Sequence, residues 1–293
     1  MSQQHSIAAE RKTALLQVHV GVLLLGGTAL FSKIIPLDGA AISFARACVA
    51  AIVLTVLVKA TEGRIRLNSL KDYRNGVILG VLMAIHWVTY FYAMQFSTVA
   101  TGMIALYTYP VMIVLIEPLL NKQLPHKFDF LMALMVLAGV ALMVPELSLD
   151  SEYTLGILLG VLSAVFFAAR NIMSHKVFSH YTGMKNMMFQ STIIACVLLP
   201  FEIHHFADLP VTTLGWICLL GVVFTALPHS LIVNGLRSIK AKTMSLVSCL
   251  SPFYGTIFAA VLLAEYPSWQ TLVGGALVVS AAVYETLSGH KRG

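Results

Sequence analysis

Three observations predict an all-α membrane protein whose ten transmembrane helices form two inverted five-helix repeats. The first is composition: 58% of the 293 residues are hydrophobic and only 11% are charged, with a mean hydropathy of +0.84, beyond the apolar share of a soluble domain. The second is length. Ten apolar stretches lie at roughly 14–32, 39–59, 75–95, 98–120, 128–145, 154–174, 185–203, 212–235, 243–264 and 268–287, near the ~20 residues a helix needs to cross a ~30 Å hydrocarbon core. The third is an internal repeat. Pro110 falls on Pro252, Gln123 on Glu265 and Pro125 on Pro267 without a gap. Each copy reads as an apolar helix with a proline near its middle, a polar residue, a short turn and a second apolar helix.

In chain order, residues 1–13 read as a short polar tail. The run after Arg11 and Lys12 is long for a signal peptide, and no small-residue cleavage site follows Phe31, so it is expected to stay as the first span. The second span carries Arg46 some two turns from its outer end, and residues 60–74 form a connector of mixed charge. The third places Met83, His86, Trp87, Tyr90 and Phe91 through the bilayer centre. The fourth adds Tyr107 and Tyr109 just before Pro110, with Glu117 towards its inner end. Residues 14–145 make the first repeat, 146–153 (ELSLDSEY) an outside loop, and 154–287 the second repeat. Five is an odd number, so the second copy enters the membrane from the opposite side. That plan recurs in secondary transporters, with a binding site near the midplane between the halves. Within the second copy, Arg170 lies in the sixth span, His229 in the eighth, and Ser245, Ser248, Pro252, Tyr254 and Thr256 in the ninth. Residues 288–293 form a second polar tail.

The net charge of +6 records orientation, not a nucleic-acid partner. With both tails placed in the cytoplasm, 16 of the 19 Lys and Arg residues fall on inside segments, only Lys33 lies outside, and Arg46 and Arg170 are within spans. This is the positive-inside pattern. The basic residues include Arg237, Lys240, Lys242, Lys291 and Arg292; the outside loops hold the acids Asp38, Glu146, Asp150, Glu152, Glu202, Asp208 and Glu265.

Several residues carry candidate chemistry. Pro110 and Pro252 each remove a helical hydrogen bond and free the carbonyls of Leu106 and Ser248. In hydrocarbon such a carbonyl needs a partner or a wet cavity, so each proline is a hinge beside a ligand or a packed kink satisfied by a neighbouring hydroxyl. Ser245, Ser248, Pro252 and Thr256 share one helix face, as cavity lining or helix–helix glue. The aromatic residues of spans three and four suit planar or amphipathic ligands, against the alternative of ordinary packing. Arg46 attracts a carboxylate or phosphate, or pairs structurally. Arg170 and Glu117 snorkel, pair with each other or form an inner gate. His86 and His229 are proton carriers or hydrogen-bonded structural residues. Gly76 and Gly80, like Gly156 and Gly160, permit close helix contact within or between chains. Cys48, Cys196, Cys218 and Cys249 lack metal or disulfide spacing, and no P-loop is present. The EIHHFAD loop, with Glu202, His204, His205 and Asp208, reads as an ordinary outside loop sooner than a metal site.

On these residues, positions 14–287 resemble the drug/metabolite transporter superfamily, in the form of a ten-span member with two EamA-type repeats. The features are Arg46 in ISFARACVAAIVL, Pro110 with the turn at Gln123, and SLVSCLSPFYGTIFAAVLLAEYPSWQTLVGGALVV with its proline, Glu265 and following glycines. Gln123 departs from the family's glutamate, so any role of that acid rests on Glu265. The resemblance implies a central cavity lined by spans 1–4 and 6–9, with 5 and 10 peripheral. It implies a secondary transporter and not an enzyme, without cofactor or metal, working by alternating access in the cytoplasmic (inner) membrane with both termini cytoplasmic. The expected substrate is a small organic metabolite, an amino acid or related amphipathic compound, moved outward. Multidrug efflux of lipophilic cations is the alternative, and an intramembrane enzyme using His86 or His229 a third reading. The partners are the substrate and the lipid bilayer, with proton coupling and a homodimer left open. The expected substrate contacts are His86, Trp87, Tyr90, Tyr107, Ser248 and Tyr254, the hinges Pro110 and Pro252, and the gating or charged groups Arg46, Glu117, Arg170, His229 and Glu265.

Overall fold

The computed structural model describes residues 2–120, 122–125, 127–144, 151–206, 209–235, 244 and 247–288. Glu146, Asp150, Asp208, Arg237, Lys240, Lys242, Ser245, Lys291 and Arg292 lie outside the described residues. Every regular element among those described is helical. The chain begins with α1 (Ser2–Thr28), a short α2 (Phe31–Ile34) and α3 (Gly39–Glu62). Asp38 starts α3 by accepting from the amides of Ala40 and Ala41 at 3.0 and 2.8 Å, and Gly63 ends it at φ +71°, where only glycine is free of strain. Ser69 caps α4 (Leu70–Phe96), and Thr98 caps α5 (Val99–Leu106) through the Thr101 amide. After α6 (Tyr109–Leu120) and α7 (Lys127–Met143) come α8 (Glu152–Phe178) and α9 (Gly183–Glu202). The last group is α10 (Val211–Gly221), a π-helical turn over Val222–Ala226, α11 (Leu227–Gly235), α12 (Ser251–Leu262) and α13 (Trp269–Ser288).

Among the described residues, seven helical stretches are long and apolar enough to cross a membrane: Lys12–Ile34, Gly39–Glu62, Leu70–Phe96, Val99–Leu120, Glu152–Phe178, Gly183–Phe206 and Val211–Ile232. Ser251–Leu262 and Trp269–Tyr284 are shorter apolar helices. Together with α7 they occupy the positions of the three other expected spans.

The regular α-helical pattern is interrupted at Tyr107–Thr108 and again at Cys249–Leu250, although Leu250 keeps right-handed helical dihedrals, and Pro110 and Pro252 are each the second residue of the helix that follows. Proline's fixed φ suits a first turn, where its missing N–H costs nothing. The repeat extends to the turns: Lys122 and Ala264, just before the paired Gln123 and Glu265, both adopt the left-handed conformation, at φ +57° and +55°.

Packing uses small residues at helix crossings. A side chain at Gly76 would meet the Phe189 ring at 2.6 Å, and one at Gly80 would overlap Ile193, so α4 lies close on α9. Gly156 and Gly160 bring α8 onto the backbone of Ala93 and the methyl of Ala105. Gly139 and Gly274 meet backbone to backbone where α7 crosses α13. These glycines thus serve contacts within the chain. Phe91, Met94, Met103, Ile42 and Leu220 form the inner core, while Leu16, Ile52, Val56, Leu134, Leu137 and Val261 face outward. A belt of exposed large aliphatic side chains around a closed bundle is what a hydrocarbon solvent requires.

Candidate functional site

Elements of both halves enclose a cavity of about 450 Å³. The first half lines it with Val22, Leu25 and Thr28 of α1, Arg46 of α3, Met83, His86, Trp87 and Tyr90 of α4, and Met103, Leu106, Tyr107 and Tyr109 around the first helix break. The second half contributes Phe167, Arg170 and Asn171 of α8, His229 and Ile232 of α11, and Met244, Ser248 and Ser251 around the second break. As the resemblance implied, α7 and α13 supply none of this lining. Neither does α9, which was expected to contribute.

One wall is aromatic. His86 stacks on Phe167 with centroids 4.5 Å apart and on Tyr90 at 5.9 Å; Phe167 meets Tyr109 edge-on at 4.8 Å, and Tyr109 meets Tyr107 at 5.8 Å. Phe167 was not singled out from the sequence. It stands three residues before Arg170 and hence on the same helix face, which was the available signal.

Arg46 is 3% exposed. Its guanidinium carbon sits 3.7 Å from the centroid of the Trp87 ring and 5.4 Å from that of Phe91. This is a cation–π stack, favourable but far short of the hydration lost. Its Nε is shielded from solvent and has no hydrogen-bond partner. Arg170 is tied to neutral groups: Nε donates to Gln190 Oε1 at 2.8 Å and an NH2 group to Asn171 Oδ1 at 2.9 Å. Gln190 in turn bonds Asn186, which reaches Ser174. The pairing of Arg170 with Glu117 is therefore not formed; Glu117 lies half-buried on α6, off the cavity lining.

Each histidine is held by a hydrogen bond at Nδ1. Ser163 Oγ lies 2.7 Å from His86 Nδ1 and 3.0 Å from the His86 carbonyl, and the ring donates or accepts there according to which of the two takes the serine proton. His229 Nδ1 lies 2.6 Å from the Thr225 carbonyl, which only accepts, so His229 is protonated on Nδ1.

The two breaks meet directly. Tyr107 donates its hydroxyl to the Ser248 carbonyl at 2.7 Å, the group the sequence marked as freed by Pro252. Tyr254, by contrast, is not in the lining. It packs with Val18, Val22 and Val247 beside Gly26; six residues after Ser248, it stands on a different helix face at 3.6 residues per turn. Pro110 and Pro252 also stand one residue outside the lining, behind Tyr109 and Ser251.

Glu265 sits far from this group at one end of the bundle. One carboxylate oxygen accepts from the Val99 amide at 2.8 Å, and the other is 3.7 Å from Lys33 Nζ, which also bonds the carbonyls of Gln95 and Ser97 at 3.2 and 3.0 Å. The carboxylate thus lies on the N-terminus of α5, where the helix dipole favours it. Near that end, Asp38, Glu202 and His205 bring ligand atoms within 4.8 Å of one another. Asp38 already caps α3, and His205 lies 3.8 Å from the Glu202 carboxylate.

Comparison with known proteins agrees with this architecture. The model of the EamA-like transporter family matches residues 12–144 and again 154–285. The pseudopaline exporter CntI of Pseudomonas aeruginosa is 25% identical over 222 residues, 74% of this chain and 75% of its own. The biotin transporter of Escherichia coli K12 is 23% identical over 235 residues, 75% of this chain and 76% of its own. A crystal structure 20% identical in sequence superposes with a TM-score of 0.65 over 94% of this chain and 98% of that one. At that identity the likeness is one of fold.

Proposed function

The chain belongs to the EamA-like transporter family, and from that premise we propose that it is a secondary transporter exporting a small amphipathic metabolite by alternating access. It is a multi-pass membrane protein and a transporter, not an enzyme; the finer statements are our reading. The observation that carries it is the cavity itself, about 450 Å³ of aromatic and polar lining drawn from both halves at their two broken helices. That volume suits a small organic molecule.

The packing supports the inverted-repeat plan. Exchanging each element for its counterpart in the other half turns the α4–α8 contact into α11–α1, and α6–α8 into α12–α1; α3–α9 and α7–α13 map onto themselves. A pseudo-symmetric bundle has two related closures at its two ends, and alternating access is the exchange between them. In this reading the Lys33–Glu265–Val99 cluster is the outer closure. Its inner counterpart carries the neutral Gln123, so the two closures differ in strength. Export is the proposed direction, as for the pseudopaline exporter. His86 and His229, both in the cavity lining, are the groups available for proton coupling.

Counterflow in proteoliposomes tests the reading. Vesicles loaded with one unlabelled compound from a panel of amino acids, organic acids and nucleosides should accumulate the labelled form above protein-free vesicles, chemically unchanged. Failure of every panel member to exchange, or conversion to product in detergent, would remove it.

A further inference from the structure

The cavity is charged in one sense only. Arg46 and Arg170 both line it, and no aspartate or glutamate does among the described residues. Arg170 spends donors on Gln190 and Asn171. Arg46 makes no hydrogen bond or ion pair among the described residues, although it is 3% exposed and its Nε is sealed from solvent. A charge taken out of water without a partner is costly, and a guanidinium offers a planar fork that fits an oxyanion in two parallel bonds. His86 and His229 add no negative charge to the lining.

We infer that the transported molecule carries an oxyanion, a carboxylate or phosphate-like group, which docks on the edge of the Arg46 guanidinium whose face is stacked on Trp87. This rests on the transport reading and narrows it. The aromatic wall running from Tyr90 through His86 and Phe167 to Tyr109 takes the less polar body of the molecule. Lipophilic cations are excluded, because two guanidiniums and no lining carboxylate repel them. Arg46 thus finds its hydrogen-bond partners in the cargo, and in the empty protein it is a destabilising residue.

The test uses the purified full chain and matched pairs: amino acids and aromatic acids, each against its own amide. Tetraphenylphosphonium is the cation control, and dihexanoyl phosphatidylglycerol tests a lipid headgroup as the source of the anion. Melting temperature and Trp fluorescence report binding. At least one carboxylate should bind and its amide should not. Arg46→Met should weaken that binding about 10- to 100-fold, the range for losing a hydrogen bond to a charged group, and Arg46→Lys less. Arg46→Met should also raise the melting temperature of the ligand-free protein. An arginine with a merely structural role predicts the opposite, which keeps the test decisive. Equal binding of acid and amide, binding of tetraphenylphosphonium or of the lipid alone, no binding by any carboxylate, or a less stable Arg46→Met would each overturn the inference. Counterflow separates the two proposals: a protein that moves cations is still a transporter without an anion site, and one that binds a carboxylate without flux keeps the site and loses the transport reading.

Discussion

Tyr107 shows how one side chain serves two purposes at this site. Its ring is part of the aromatic wall, while its hydroxyl closes the Ser248 carbonyl on the opposite half. Tyr107→Phe keeps the ring and leaves that carbonyl unpaired, so stability should fall by about 1–3 kcal/mol, measured by thermal unfolding in detergent, with apparent affinity nearly unchanged. Tyr107→Ala removes the wall as well, and the concentration dependence of flux should then shift. At this scale the sequence was readable wherever a residue stood clear of the helix breaks. His86, Trp87, Tyr90, Arg46, Arg170 and His229 all reach one cavity. Tyr254 did not follow. It stands six residues after Ser248, about a third of a turn off that face at 3.6 residues per turn, so its place followed from neither the stripe nor the repeat. The left-handed Ala264 has no signature of its own, because alanine carries no preference for φ > 0. Relieving it by Ala264→Gly should stabilise the protein by up to about 1 kcal/mol.

At the scale of the element, the helices that begin at the two prolines are the ones to test. A proline in a helix interior costs ~3 kcal/mol or more and bends the rod; in a first turn it costs little. Pro252→Ala should therefore change the melting temperature slightly. If the joint between Ser248 and Ser251 works as a hinge, flux should still fall, because alanine permits the helix to run back through the break. Equal flux at equal expression would assign Pro252 to folding alone. The crossings make the complementary case. Gly80 and Gly160 were legible as small residues in a repeating pattern, but the pattern cannot say which helix they meet. The structure puts them against Ile193 and Ala105, where a β-branched side chain does not fit. Gly160→Val should accordingly lower the melting temperature sharply and reduce yield, with little meaning for the chemistry of the cavity.

For the whole molecule, composition and the repeat were enough to indicate a helical membrane bundle, since long apolar runs and a pattern that occurs twice are properties of the sequence itself. The cavity was less legible. It arises from elements far apart in sequence, and its single sign of charge becomes visible only when Arg46 and Arg170 are seen lining one volume without an acid. The end closures follow the same logic: Glu265 could be paired with Gln123 by counting, while its bond to Val99 and its approach to Lys33 needed the fold. Glu265→Gln weakens the charged closure and should shift the resting population towards the form open at that end. The central claim, that one cavity is exposed to each face in turn, is tested most directly by thiol accessibility. Leu25, half-buried in the cavity wall, is replaced by cysteine in a chain whose four native cysteines have been changed to alanine or serine. An impermeant maleimide is then applied to either side of oriented vesicles. The account predicts labelling from both faces, with Glu265→Gln raising the rate from the outer one. Labelling from one face only, unchanged by Glu265→Gln, would contradict it.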